Sequence, residues 1–68
     1  MTVIKFNTKE HRLAIDTTLP FIDLTYDNVM TIKDNGSYYE ILQRQEDGKN
    51  APILRLPINN TVIIFKHN

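Results

Sequence analysis

Three dipeptides that favour tight turns divide the C-terminal part of this chain into four short runs of β-forming residues. They are Asn35-Gly36, Asp47-Gly48 and Asn59-Asn60. A two-residue hairpin loop requires positive φ at its centre, and Gly and Asn adopt that conformation at low cost. The spacing therefore predicts an antiparallel four-stranded meander, with strands at about 26–33, 38–46, 50–57 and 61–66.

Centring each hairpin on its dipeptide also predicts which residues face each other. The first hairpin then pairs Ile32 with Tyr39, the second pairs Tyr39 with Leu56, and the third pairs Leu56 with Ile63. Cross-strand partners share a face of the sheet. Two apolar rows result: Met30, Ile41, Leu54 and Phe65 in one, and Ile32, Tyr39, Leu56 and Ile63 in the other. All three turns agree on this pattern.

A helix over 37–47 is a competing interpretation. Ser37 and Glu40 fit a capping box, and Tyr38, Ile41, Leu42 and Gln45 fit one helical stripe. A helix there would leave both apolar rows without their second strand. The strand is therefore favoured, and the helix stays open as the alternative.

The N-terminal third predicts a second hairpin. Residues 3–7 and 12–16 alternate, so Ile4, Phe6, Leu13 and Ile15 share a face if the chain turns back near 8–11. Residues 21–26 then resume a β-like run into the first meander strand. One sheet face is too small a core for a chain of 68 residues without Cys. We therefore expect residues 1–68 to form a single small β domain, an SH3/OB-like barrel or sandwich closed by the N-terminal hairpin.

A short stretch near the start of the chain is similar to a known family. Residues 5–9, Lys-Phe-Asn-Thr-Lys, followed by Ile15, resemble the opening of cold-shock domains, which are close to this length. The resemblance implies an OB-like or SH3-like small barrel. The segment that carries base-stacking aromatic residues and glycines in that family reads His-Arg-Leu-Ala at 11–14 here, so the resemblance does not extend to RNA binding.

Charge and composition indicate in which cellular compartment the protein works. Eight acidic and eight basic side chains give a formal net charge of zero, with no block of like charge. No apolar run approaches a membrane span, and no signal-peptide-like segment follows Met1. We expect a cytoplasmic protein. The Ile-, Asn- and Lys-leaning composition favours a bacterial or phage origin.

The residues needed for catalysis are scarce, so the sequence predicts no enzyme, no metal site and no cofactor. The only histidines are His11, in the expected first loop, and His67, expected to be frayed. The single serine, Ser37, flanks a turn and has no adjacent base. Both glycines are used in turns, which leaves none for a phosphate-binding loop.

The reverse face of the predicted meander is the candidate functional surface. It mixes apolar side chains with a Glu40–Arg55 pair, and such a patch is typical of an interface or of a face covered by another element. The leading hypothesis is a non-enzymatic protein-interaction or inhibitor module that self-associates. Its expected partner-binding residues are Tyr38, Leu42, Ile53, Arg55 and Ile64.

Two other functions remain open. Lys33, Tyr38, Arg55 and Lys66 form a candidate single-stranded nucleic-acid site, since a base can stack on tyrosine while cations hold phosphates. The zero net charge and the nearby Glu40 weigh against it. The remaining alternative is a structural subunit of a larger, virion-like assembly.

Overall fold

The chain is all-β. The structure, a computed structural model, describes residues 1–16 and 25–67. Strands hold 68% of the described residues, with no α-helix among them. They are β1 Thr2–Asn7, β2 Arg12–Asp16, β3 Thr25–Tyr26, β4 Val29–Asp34, β5 Tyr38–Arg44, β6 Asn50–Pro57 and β7 Thr61–Lys66. Because β5 is a strand, the alternative helix over 37–47 is wrong.

The described strands form two separate sheets. One has four strands in the order β3-β2-β1-β7, and the other has three in the order β4-β5-β6. The β1 and β7 strands are parallel, and every other described pair is antiparallel. The described strands do not close into a barrel.

The N-terminal hairpin forms as predicted, and its four apolar residues share one face. Ile4 lies opposite Ile15 and Phe6 opposite Leu13, and all four side chains are buried. The predicted run from 21 into the first meander strand is only partly visible, because residues 21–24 lie outside the described segments. Its end, Thr25–Tyr26, pairs with β2, and Asn28, at φ 58, separates β3 from β4.

The fourth predicted meander strand lies in the other sheet. Asn59-Asn60 is not a hairpin turn; Ile58–Asn60 forms a 3₁₀ turn that carries the chain across to β1. The Thr61 hydroxyl donates to the Pro57 carbonyl oxygen at 2.6 Å and fixes this crossover. The predicted partners of Ile63 and Phe65 in β6 are therefore wrong. Both residues align with apolar side chains of β1 instead, Ile63 with Ile4 and Phe65 with Phe6.

The first meander hairpin turns one residue later than predicted. Asn35 N–H donates to the Tyr38 carbonyl at 3.0 Å, so the central residues are Gly36 and Ser37, with Gly36 at φ 89. Gly at the first central position suits a type II′ turn. Ile32 consequently faces Ile41 rather than Tyr39. A shift of the centre by one residue moves partners by two, so each side chain keeps its face.

The second hairpin has the predicted core pairs but a longer loop. Ile41 faces Leu54 as expected. However, Gln45 N–H donates to the Lys49 carbonyl at 2.9 Å, and Gly48 has φ 81, which makes a loop over residues 46–48. A bulge at Ile53 offsets the extra loop residue and restores the predicted register beyond it.

A second bulge places Val29 in the core. Val29 pairs with Gln43, whereas Thr31 pairs with Leu42, and Met30 lies between them. The bulge turns Val29 inward, where it is fully buried. The prediction that Met30 lies in a core row is wrong, because alternation fails at a bulge and Val29 takes the inward position instead.

The buried side chains of both sheets form one cluster. It contains Ile4, Phe6, Leu13, Ile15, Val29, Ile41 and Leu56, with Tyr26, Ile32, Ile53, Leu54 and Ile63 packed against it. Each fully buried aliphatic side chain contributes about 1.5–3 kcal/mol relative to its exposed state. Phe65, predicted in a core row, is 53% exposed because it lies at the outer edge of the four-stranded sheet.

Candidate functional site

The five expected partner-binding residues do not form one surface. Three of them lie on the face of the three-stranded sheet that points away from the core cluster: Tyr38, Leu42 and Arg55. The observed pairings of Glu40 with Arg55 and of Tyr38 with Pro57 place them there. Ile53 occupies the bulge of β6 and packs against the core cluster. Ile64 lies on β7, in the other sheet. The predicted patch is thus divided between two sheets.

Arg55 contacts two neighbouring side chains on the outer face of the three-stranded sheet. Its Nε donates to Glu40 Oε2 at 3.0 Å, and its guanidinium lies 5.3 Å from the centroid of the Tyr38 ring. The hydrogen bond to Glu40 raises the pKa of Arg55. The ring face of Tyr38 is therefore already in contact with a cation, and that cation is neutralised by a carboxylate.

The candidate nucleic-acid residues are also divided. Lys33 lies on β4 directly opposite Glu40, while Lys66 lies on β7 in the four-stranded sheet. Only Lys33, Tyr38 and Arg55 share a sheet, and Glu40 lies among them. The four residues do not make a continuous basic track.

Two open depressions flank these surfaces. One, of about 400 Å³, lies along β6 and is lined by Pro52, Ile53, Leu54 and Arg55. The other, of about 210 Å³, lies on the outer face of the four-stranded sheet and is lined by Lys5, Asn7, Glu10, Arg12, Ala14 and Lys66. In the second, Arg12 Nε donates to Asp27 Oδ1 at 3.0 Å, and this bond raises the pKa of Arg12.

The most exposed apolar side chains of the described segments concentrate on β7. Val62 is 43%, Ile64 49% and Phe65 53% exposed; outside β7, only Met1 among the large apolar side chains in residues 1–16 and 25–67 is also exposed. The strand has a hydrogen-bonded neighbour, β1, on one side only among the described strands. It is thus an apolar edge strand, exposed on both faces.

Successive residues of β7 direct their backbone N–H and C=O groups to opposite sides of the strand. Thr8 N–H donates to the Lys66 carbonyl at 2.8 Å, so Lys66 turns its backbone groups towards β1. Residues of the same parity, Val62 and Ile64, do likewise, because the N–H and C=O of one residue in a strand point the same way. Ile63 and Phe65 therefore direct their backbone groups towards the other side, the free edge, where β7 has no neighbour among the described strands.

Side chains fix the end of β7 in place. The Phe65 ring lies 6.2 Å from that of Phe6 and stacks on that of His67, also at 6.2 Å. His67 Nδ1 and Thr8 Oγ1 are 2.7 Å apart, within hydrogen-bonding distance. His67, expected to be frayed, thus contacts both Thr8 and Phe65. These contacts connect the end of β7 to the β1 side of the sheet.

Sequence reasoning missed this edge because it paired the last strand with β6, whereas β7 pairs with β1. The signal was present, since residues 62–65 read Val-Ile-Ile-Phe, apolar on both faces and without alternation. Such a run is typical of a strand whose two faces are both covered. Here only Ile63 packs against the core. Phe65 on the same face, and Val62 and Ile64 on the opposite face, are exposed.

The two residue types singled out for catalysis, serine and histidine, lie in turns and loops of the described segments. Ser37 lies in the first hairpin turn, whereas His11 has φ 56 in the β1–β2 loop. The described part of the chain holds no cluster of three or more His, Asp or Glu placed to bind a metal ion. None of its elements is a helix long and apolar enough to cross a membrane.

No protein-family model, curated protein or solved structure matches the chain significantly. The short resemblance to cold-shock domains gains no support from these comparisons.

Proposed function

We propose that this chain is a non-enzymatic protein-interaction module that binds its partner through the free edge of β7. The observation that carries the proposal is that three of the exposed large apolar side chains, Val62, Ile64 and Phe65, lie on one edge strand. This moves the predicted binding surface from the meander to the last described strand.

Strand addition is the binding mode that such an edge supports. The unpaired N–H and C=O groups of an edge strand template pairing with another chain, and side chains on alternate faces provide the specificity. Natural proteins protect free edges with charges, prolines or bulges. Residues 62–65 carry none of these, and the first charge on the strand is Lys66 at its end.

The outer face of the three-stranded sheet gives less support to binding. Glu40 and the ring of Tyr38 already contact Arg55, and Leu42 is only partly exposed. The same contacts weaken the nucleic-acid alternative, because a base would have to displace the guanidinium in order to stack on Tyr38.

We also propose that the two sheets pack face to face as a small sandwich. The support is that the buried cluster draws side chains from β1 and β2 in one sheet and from β4, β5 and β6 in the other.

The test is an affinity capture of the tagged protein from a bacterial lysate that also contains the untagged chain, divided into nuclease-treated and untreated halves. Ile64→Asp is the test variant, and Leu42→Asp is the matched control on the other sheet. We expect a protein in both halves that Ile64→Asp loses and Leu42→Asp retains.

Other outcomes would redirect the proposal. Loss of the partner with Leu42→Asp alone would return the binding surface to the three-stranded sheet. Recovery of nucleic acid whose binding weakens steeply with salt, and with Tyr38→Ala, would favour the nucleic-acid function. Circular dichroism of each variant checks that the sheets remain folded.

A further inference from the structure

We infer that the partner at the β7 edge is a second copy of this chain, joined as an antiparallel β7–β7 pair with Ile63 opposite its own symmetry mate. The inference rests on the proposed function of this edge. It follows from the direction of the backbone groups, the order of side chains along the strand and the position of its charges.

Backbone direction restricts the register. Only Ile63 and Phe65, with the carbonyl of Thr61, direct hydrogen-bonding groups to the free edge, because the Thr61 N–H already donates to Ile58. An antiparallel pair about a twofold axis must match outward-directed residues with each other. Centring on Ile63 does so, since the two Ile63 residues exchange bonds and each Phe65 N–H meets the Thr61 carbonyl of the other copy. Centring on Ile64 would also match outward-directed residues, with Ile63 opposite Phe65, but it would place Lys66 opposite Val62, so the side chains decide between the two registers.

The side chains of this register are complementary. Val62 of one copy lies opposite Ile64 of the other, on the outer face of the joined sheet. Val3 already neighbours Val62 in the β1–β7 ladder, so the pairing extends an apolar row across the twofold axis. Cross-strand pairs of β-branched side chains stabilise such a ladder. Val62 and Ile64, now 43% and 49% exposed, would cover each other.

Charge does not oppose the pairing. The single charge on β7, Lys66, lies at the end of the strand and would face Asn60 of the second copy rather than another lysine. The formal net charge of the chain is zero, so the two copies do not repel each other as wholes. A twofold pair also uses the edge on both copies and therefore closes as a dimer instead of growing into a fibre.

Disulfide trapping tests the register directly, because the chain has no Cys of its own. Directly opposed residues of a pair without backbone bonds have Cα atoms about 4.5 Å apart, which a disulfide can bridge. Diagonal neighbours are about 7–8 Å apart. An equimolar mixture of Val62→Cys and Ile64→Cys should therefore oxidise to a mixed dimer, while each variant alone should cross-link far less.

Three results would overturn the inference. Efficient cross-linking of Ile64→Cys alone would centre the pair on Ile64. A monomeric wild-type chain at every concentration in analytical ultracentrifugation, with no trapped dimer, would exclude the second copy. Dimerisation undiminished by Phe65→Pro, which removes an outward N–H, would place the contact elsewhere. The capture experiment is scored separately, so a monomer that still binds a partner through Ile64 would leave the proposed function standing.

Discussion

Leu42 lies directly opposite Pro52 across β5 and β6, yet the next pair along the same ladder is Ile41 with Leu54, so Ile53 has no residue opposite it. Deletion of Ile53 would remove the bulge and leave a regular ladder in which Pro52 and Leu54 keep their partners. We expect the variant to fold and to unfold cooperatively at a lower temperature, because the packing of Ile53 on the core is lost.

The control for this deletion is Glu40, in the middle of β5. Removing it would shift Tyr39 to the opposite face relative to both neighbouring strands, and would delete the partner of Arg55. We expect this variant to be unfolded, as measured by circular dichroism and amide exchange. If both deletions unfold the protein to the same extent, the assignment of the bulge at Ile53 is contradicted.

Ile41 and Leu42 are neighbours on β5 that point to opposite faces. Ile41 is fully buried, whereas Leu42 is partly exposed. Ile41→Ala should lower the free energy of unfolding by about 2–5 kcal/mol, because it leaves a cavity in the core. Leu42→Ala should cost clearly less. Urea denaturation measures both, and a reversed order would place the core on the other side of the sheet.

The Thr61 hydroxyl fixes the crossover between the sheets through its bond to Pro57. Thr61→Val keeps the shape of the side chain but removes the donor, and should cost about 1–2 kcal/mol of unfolding free energy. Thr31→Val is the matched control, since Thr31 is an exposed strand residue. If the two substitutions cost the same in thermal unfolding, the hydroxyl does not stabilise the turn.

Proline substitutions along β7 test the direction of its backbone. Phe65→Pro removes an N–H that points to the free edge and should leave the β1–β7 ladder intact. Ile64→Pro removes an N–H that points towards β1 and should destabilise the four-stranded sheet strongly. Amide exchange of β1 distinguishes the two, and protection lost equally in both variants would contradict the parity set by the bond from Thr8 to Lys66.

The alternating segments were the predictable part of this fold. Ile4, Phe6, Leu13 and Ile15 are buried as their spacing predicts, and Glu40 faces Arg55 as counting from the second turn predicts. The N-terminal hairpin depends only on local period and on a nearby turn, and it was predicted correctly. The Glu40–Arg55 pair was also predicted, but its register survives because the bulge at Ile53 offsets a loop that is one residue longer than expected.

The destination of β7 was not predictable from local signals. Asn59-Asn60 suits a hairpin turn that would pair β7 with β6. The strand pairs instead with β1, which is distant in sequence, and turn residues carry no information about such a long-range partner. The bulges at Met30 and Ile53 were missed for a related reason, because period counting assumes regular alternation. The candidate site was misplaced as a result, since it depended on where β7 lies.

The parallel pairing of β1 with β7 also affects how the chain is made. Thr8 and Lys66, joined by a backbone bond, are 58 residues apart, so loop closure over most of the chain must precede this ladder. At about 5–20 residues per second, a ribosome adds that length in roughly 3–12 s. Throughout that interval the nascent β1 has no β7 beside it, and the backbone groups that later pair with β7 remain open to other chains.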